Sequence, residues 1–310
     1  MIQSKNILLI SPEPWDAHLV SKHHYARELA KNNHVFFLDP PSNKKSNDPL
    51  TNNLSIVRWK NHIKGIKYFP DYISGGYFKK EVNRLQKFLN TTFDIIWNFD
   101  PSRFFNLSKI NTYNICHIVD WNQQFQRKKL AETSDLCLVT TDFLKKELLK
   151  YNIHTHKIHH GVQLTSTTNA IDLPQGKNTI KVGMIGNLNR SCIDWSLIDN
   201  ITQNAADFYF MGRSDNGIKE QYDKENIYWL GKQRAVLIPD FLAKMDILIC
   251  CYKLENTFDI TQHASLHKTM EYLGSGNVIV TTYQDEYKDK THLLEMVNPD
   301  EDFLTKFILC

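Results

Sequence analysis

Ser265-Leu266-His267-Lys268-Thr269-Met270-Glu271-Tyr272-Leu273-Gly274-Ser275-Gly276 runs directly into Asn277-Val278-Ile279-Val280-Thr281-Thr282. The stretch reads as a short helix closed by glycine and followed at once by a buried strand. Ser265 is the expected N-cap, and Gly274 or Gly276 supplies the left-handed residue that ends the helix. Lys268 and Glu271 lie three residues apart and so project from one side. A helix N-terminus with a lysine beside it suits a diphosphate, and a carboxylate one turn further on suits sugar hydroxyls. The stretch therefore predicts half of a nucleotide-sugar site inside an α/β domain.

The same alternation continues outward. Upstream lie strands at Thr179–Gly186, Phe208–Gly212, Ile227–Gly231 and Ile247–Tyr252, with a helix over Ile238–Lys244. Three of these strands end in glycine at the carboxyl end, where open α/β sheets bind their ligands. The first half repeats the pattern, with strands at 7–10, 34–39, 94–99, 113–119 and 136–140 and helices near 19–31 and 143–149. Lys157-Ile158-His159-His160-Gly161-Val162 reads as a short strand entering a turn. Short, continuously apolar strands alternating with helices predict parallel sheets covered on both faces. Residues 164–178 break all periodicity and read as a linker. The expected architecture is α/β: a domain over 1–163, a linker over 164–178 and a domain over 179–310, two Rossmann-like halves facing across a cleft.

A length of 310 residues fits two domains. Hydrophobic content of 42% with 23% charged residues is that of a globular protein rather than a disordered one. No apolar run reaches the length of a membrane span. The first ten residues are a short polar lead into a strand, without the apolar core or cleavage site of a signal peptide. The six cysteines show no metal-ligand spacing. Cys116, Cys137, Cys250 and Cys251 sit in apolar runs as small hydrophobes, which points to a reduced, cytoplasmic protein. Residues 1–160 carry 23 Lys and Arg against 14 Asp and Glu, and the remainder 14 against 20. A basic first half and an acidic second half suggest different partners for each. The basic residues are diffuse and accompany no recognition motif, so nucleic acid is not an expected partner.

These motifs, in this order, resemble the GT-B glycosyltransferases, specifically the family-4-like group that builds bacterial polysaccharides and teichuronic or lipid-linked glycans. The resemblance spans nearly the whole chain. It is carried by Ser11-Pro12-Glu13-Pro14-Trp15-Asp16 with Lys22-His23-His24-Tyr25-Ala26, by Ser134 to Leu144, by His160-Gly161-Val162, by Gly186-Asn187-Leu188-Asn189-Arg190 and, most specifically, by His267 to Gly276. The resemblance implies a C-terminal domain that binds the nucleotide sugar, an N-terminal domain that binds the acceptor, and no metal or cofactor. Glu271 would then accept hydrogen bonds from the donor's ribose, and Lys268 would support its diphosphate. Arg190 would neutralise charge growing on the departing nucleoside diphosphate. Gly186 and Asn187 would let the backbone approach the phosphates. On the acceptor side, His117 or Asp120 would orient the acceptor hydroxyl or share in proton transfer, unless held structurally by local backbone. His24 and Asp16 are weaker candidates.

The chain also departs from that group's pattern. His267 stands where the group has proline, His263 where it usually carries an earlier glutamate, and Ser11-Pro12 where it has paired glycines. The second basic residue expected soon after Arg190 is replaced by Ser191-Cys192-Ile193-Asp194-Trp195. The C-terminal domain is short by the group's standard. His154, His156, His159 and His160 look metal-like on paper but read as surface histidines in an exposed turn. Between Trp59 and Asn90, lysines and arginines interleave with aromatics. Read as a helix, this segment lines Phe78, Val82, Leu85 and Leu89 along one face, either to lie on an anionic membrane surface or to pack into the core. The expected activity is retaining transfer of a hexose from a UDP- or GDP-sugar to a surface polysaccharide or lipid-linked glycan, by a protein peripheral to the inner membrane face. The alternatives are a non-catalytic module that binds sugar nucleotide or a partner, and a sugar-nucleotide epimerase on the same fold.

Overall fold

The computed structural model describes residues 2–17, 20–120, 126–161, 170–253, 267–298 and 301–310. Ser265 and His263 lie outside them. The chain divides into two compact units, Met1–His159 and His160–Cys310.

The first unit runs β1 (Asn6–Ile10), α1 (Ser21–Leu29), β2 (His34–Leu38), β3 (Ser46–Thr51), β4 (Leu54–Arg58), α2 (Asp71–Leu89), β5 (Ile95–Asn98), β6 (Tyr113–Ile118), α3 (Arg127–Glu132), β7 (Leu136–Val139), α4 (Asp142–Leu148) and β8 (Thr155–Lys157). Its sheet has the order β3-β4-β2-β1-β5-β6-β7-β8. Neighbours are parallel except β3 and β4, which form an antiparallel hairpin that the sequence reading passed over. β3 is polar and exposed, and it carries Pro49, which an edge strand tolerates because one side of its backbone is unpaired. Alternate residues of the central strands enter separate cores on the two faces, Ile7 and Leu9 on one, Leu8 and Ile10 on the other. That two-sided burial explains why these strands are continuously apolar. Helix α2 buries Phe78, Val82 and Leu85 in the second core. The stripe read as a possible membrane face is thus a packing face.

Three strand ends in this unit are tied by one buried arginine. Arg103 Nε donates to Asp100 Oδ2 at 3.0 Å, Nη1 to Asp39 O at 2.9 Å, and Nη2 to Ser11 O at 2.9 Å and Leu38 O at 3.3 Å. These partners follow β5, β2 and β1. Arg103 and Asp100 are both nearly inaccessible, so neither charge is hydrated and each depends on the other. Replacing Arg103 by Met leaves the buried Asp100 charge without its counter-ion and removes the side-chain donor of the Asp39 and Ser11 carbonyls. The expected loss is about 3–5 kcal/mol of unfolding free energy, read by urea denaturation.

The second unit runs β9 (Ile180–Asn187), α5 (Trp195–Ile201), β10 (Ala206–Arg213), α6 (Asn216–Gln221), β11 (Ile227–Gly231), α7 (Ile238–Ala243), β12 (Ile247–Cys250), α8 (His267–Ser275), β13 (Val278–Thr282), β14 (Glu295–Val297) and α9 (Phe303–Leu309). Its strands are parallel, in the order β11-β10-β9-β12-β13-β14. Numbered within the unit, this is the doubly wound order 3-2-1-4-5-6, whose direction of winding reverses between β9 and β12.

The segment read as a linker is partly built into this unit. Ile171 is buried, its N–H donates to Asp240 Oδ2 at 2.7 Å, and its carbonyl accepts from Lys244 Nζ at 2.6 Å. Tyr209 Oη donates to Pro174 O at 3.1 Å. The aperiodic sequence reflects a strap held by polar contacts, which leave no repeat to read.

Candidate functional site

Strands β9 and β12 run side by side only where Val182 and Gly183 face Ile247 and Leu248, and then they part. Beyond the sheet they are tied together again. Ile193, on the loop leaving β9, bridges Tyr252, just past β12. Asp194 N–H donates to Cys251 O at 3.1 Å, and Lys253 N–H donates to Cys192 O at 2.9 Å. Between these two junctions the strands leave Ile185 without a strand partner on that side. Its N–H and C=O are buried polar groups that must be satisfied.

Helix α8 satisfies them. Ile185 N–H donates to Tyr272 Oη at 2.8 Å, and Lys268 Nζ donates to Ile185 O at 3.4 Å. Tyr272 is fully buried, so its hydroxyl fixes the helix against the strand. The ammonium of Lys268 also lies over the ring of Tyr252, 4.6 Å from its centroid. Burial pulls the Lys268 pKa down, but the neighbouring Tyr252 and Cys250 side chains pull it up and prevail. The Lys268 side chain thus reaches the opening from the helix side.

A buried polar chain holds the other side of α8. Thr269 Oγ1 donates to Gln284 Oε1 at 3.1 Å, Gln284 Nε2 donates to Thr281 Oγ1 at 2.6 Å, and Thr281 Oγ1 donates to Cys250 O at 3.2 Å. Gly276, with φ +76°, is the left-handed residue that ends the helix. This orientation leaves Glu271 half-buried, with no hydrogen bond or ion pair to any described residue. Burial pushes its carboxyl above the ordinary pKa, against the opposing pull of Lys268. A half-buried carboxylate with open acceptor positions suits a ligand's hydroxyl groups.

The strand side of the opening is glycine by necessity. Gly186 has φ +134°, and a Cβ there would sit 3.8 Å from Lys268 Nζ. Gly212, register partner of Gly186, has φ +155°, and a Cβ there would lie 1.6 Å from Gly186 O. No side chain fits at 212 without displacing the strand end at 186. Gly186 and Asn187 are exposed beside Lys268. Arg190, three residues on, is exposed and makes no side-chain hydrogen bond or ion pair to a described residue.

The chain is similar to a sucrose-phosphate synthase from Thermosynechococcus elongatus, with a TM-score of 0.67, 12% identity, and coverage of 98% of this chain and 88% of that one. It is similar to the E. coli trehalose-6-phosphate structure bound with UDP-2-fluoro glucose, with a TM-score of 0.65 at 11% identity over 98% of this chain and 90% of that one. It is also similar to the lipopolysaccharide outer core galactosyltransferase WaaB, with a TM-score of 0.62 at 12% identity over 98% and 88%. The fold is that of the GT-B glycosyltransferases. No protein-family model matches the sequence, and no curated protein sequence matches it.

In this GT-B chain, Gly186, Asn187, Lys268 and Glu271 come together at the carboxyl ends of the second unit's strands, with Arg190 on the loop leaving β9. One residue the sequence reading missed belongs with them. Arg213 ends β10, pairs in register with Asn187 and is exposed. Its signal in the sequence was its place directly after Gly212, a glycine at the carboxyl end of a strand.

The acceptor-side candidates of the first unit fare differently. His117 is 1% exposed, stacked 4.4 Å from the ring of Phe99 and edge-on to Tyr25 at 5.2 Å. Its Nδ1 accepts a hydrogen bond from Trp97 Nε1 at 3.2 Å. The ring packs among aromatic side chains in the interior of the first unit. Asp120, at the end of β6, is exposed. His24 is exposed on α1, and partial desolvation with the nearby Arg27 lowers its pKa. Asp16 is held by Arg58 at 3.3 Å.

Of the four histidines read as exposed, His154 and His156 are so, but His160 is buried at 7%. Among the described residues no three His, Cys, Asp or Glu side chains are grouped to hold a metal ion. Tyr272→Phe removes the partner of the buried Ile185 N–H while keeping the ring. It is expected to cost about 1–3 kcal/mol in urea unfolding, because an unsatisfied buried donor carries its full desolvation penalty.

Proposed function

We propose that this protein is a glycosyltransferase whose second unit binds a nucleoside diphosphate sugar at the opening between β9 and β12. The observation that carries the proposal is the approach of Lys268 to Gly186, with Glu271 one helical turn away. A cation against exposed backbone suits a diphosphate, and an unpartnered carboxylate suits vicinal hydroxyls. A nucleoside diphosphate presents both, in its phosphates and its ribose. Glu271 is assigned to the ribose, Lys268 to the diphosphate, and Gly186 with Asn187 to close backbone approach.

During transfer, the bond from the sugar's anomeric carbon to the diphosphate oxygen breaks and a bond to the acceptor oxygen forms. Negative charge gathers on the departing diphosphate, whose oxygen takes up the proton given up by the acceptor hydroxyl. Arg190, on the loop leaving β9, and Arg213, at the end of β10, are assigned to stabilise that charge. Arg213 takes the place of the second basic residue that the loop after Arg190 lacks. On the first unit Asp120 is assigned to orient the acceptor hydroxyl. The resemblance supports the finer reading: a retaining, metal-independent hexosyl transfer from a UDP- or GDP-sugar, with UDP preferred. It also supports a surface polysaccharide or lipid-linked glycan as acceptor, reached at the cytoplasmic face of a membrane.

Glu271→Ala and Arg190→Ala are each expected to lower donor consumption by about a hundredfold or more, with the unfolding midpoint little changed. Full activity in both variants would overturn the site assignment. Binding of nucleotide sugar without transfer or hydrolysis across a donor panel would favour a non-catalytic module instead.

The raised pKa of Glu271 adds a pH dependence. The ionised carboxylate is the form that accepts both ribose hydroxyls, and protonation removes it. Donor affinity should therefore fall as pH is lowered, and at a higher pH than an ordinary exposed glutamate would give. Calorimetric titration of UDP-sugar over an acid pH series reads this, and Glu271→Gln should abolish the dependence.

A further inference from the structure

Among the described residues of the first unit, exposed large apolar side chains concentrate just before and at the start of α2. Tyr68 is 80% exposed, Tyr72 67%, Ile63 58% and Phe69 47%. Together with Ile73 they fall within eleven residues of chain. Gly65, with φ +80°, turns the chain into a short 3-10 turn over Ile66–Tyr68, and Ile66 is buried beneath it. The turn is therefore anchored from below while its aromatics face outward. Pro70 then starts the helix, whose core face (Phe78, Val82, Leu85) is fully used. The aromatics at its tip are not a frayed part of that face.

The charges around this tip are mostly positive. Lys60 and Lys64 are exposed beside Ile63. Lys67 Nζ lies 4.8 Å from the centroid of the Tyr68 ring. Lys109 Nζ donates to Tyr72 O at 3.1 Å, and Lys129 binds Asp71, the one acidic residue of the stretch 59–73, at 2.7 Å. From Tyr72, the outer side of α2 continues through Gly76, Lys79, Lys80, Asn83 and Lys87 at helical spacing, and Lys79, Lys80 and Lys87 are exposed. An aromatic tip thus leads into a basic strip along a 19-residue helix, about 28 Å long.

Tyrosine and phenylalanine favour the headgroup region of a bilayer, and each lysine near an anionic surface adds attraction. We infer that Ile63, Tyr68, Phe69, Tyr72 and Ile73 form a shallow membrane anchor, oriented on an anionic lipid surface by the lysines of α2 and the preceding loop. The inference rests on the proposed function only for its purpose, which is to hold the enzyme where a lipid-linked acceptor is presented. The contact itself needs neither donor nor transfer. It also moves the membrane contact away from the Phe78–Leu89 stripe, which belongs to the core.

The test is sedimentation of the full chain with vesicles of phosphatidylcholine alone or with phosphatidylglycerol added, without nucleotide sugar. Binding is expected only with phosphatidylglycerol and should weaken as salt is raised. The triple variant Tyr68→Ser, Phe69→Ser, Tyr72→Ser and the charge variant Lys80→Glu, Lys87→Glu should each bind at least about tenfold more weakly. All five positions are exposed, so the urea midpoint should be unchanged in both. Wild-type protein that fails to bind, or variants that bind as wild type does, would overturn the inference. So would a wild-type dimer in equilibrium sedimentation that the triple variant loses, without vesicle binding by either, since the tip would then be a protein interface. Vesicle binding without donor turnover would count against the transferase reading alone.

Discussion

The backbone of Ile185 is the point on which the second unit's site depends. A parallel sheet satisfies its strands in pairs, and β9 loses its partner β12 after two residues. The polar groups left open sit in the interior, where water does not compensate them. Helix α8 supplies a phenol for the N–H and an ammonium for the C=O. The helix that repairs the sheet is therefore also the helix that lines the opening. Its angle is set by backbone satisfaction rather than by a ligand, so Lys268 and Glu271 are held in place before anything binds. Under the proposed function, such preorganisation lets a charge act without rearrangement at the moment of reaction.

Glycine completes this arrangement from the other side. With Cβ atoms at 186 and 212 the strand ends of β9 and β10 would not approach as they do, and Arg213 would not lie beside Asn187. The positive side chains come from different elements: Lys268 from a helix, Arg190 from a loop, Arg213 from a strand end. Only the folded sheet gathers them. In the first unit a comparable convergence at the strand ends is devoted to structure, because Arg103 spends its donors on one carboxylate and three carbonyls. Similar buried chemistry thus has a different outcome in each unit, according to whether its polar groups are already satisfied.

Much of this was legible in the chain. The apolar runs and the helix between Lys268 and Gly276 are local patterns, and they map onto β1, β2, β5 to β7, β9 to β13 and α8. The hairpin of β3 and β4 was missed because β3 is mostly polar, carries Pro49 and shows no apolar alternation. Cys116 and Cys137 are register neighbours on β6 and β7, both buried and free, in keeping with their reading as small hydrophobes. His117 looked like a polar group at a strand end, and nothing in its neighbours along the chain announces the rings of Tyr25, Trp97 and Phe99 that enclose it. His160 was read as exposed for the same reason, since burial is a property of contacts distant in sequence.

By itself, the sequence determined the period of the apolar elements, the closing of the helix at Gly274 or Gly276 and the side from which Lys268 and Glu271 project. Those properties depend on residues within one or two turns of each other. The tertiary structure decided which polar groups remain open to a ligand. It spent Tyr272 on Ile185, buried His117, turned the Phe78–Leu85 stripe inward, and left Glu271, Arg190 and Arg213 without side-chain partners among the described residues. The physical reason is that hydrogen-bond satisfaction and burial are settled between elements, across a sheet whose strand order is not written in any local pattern.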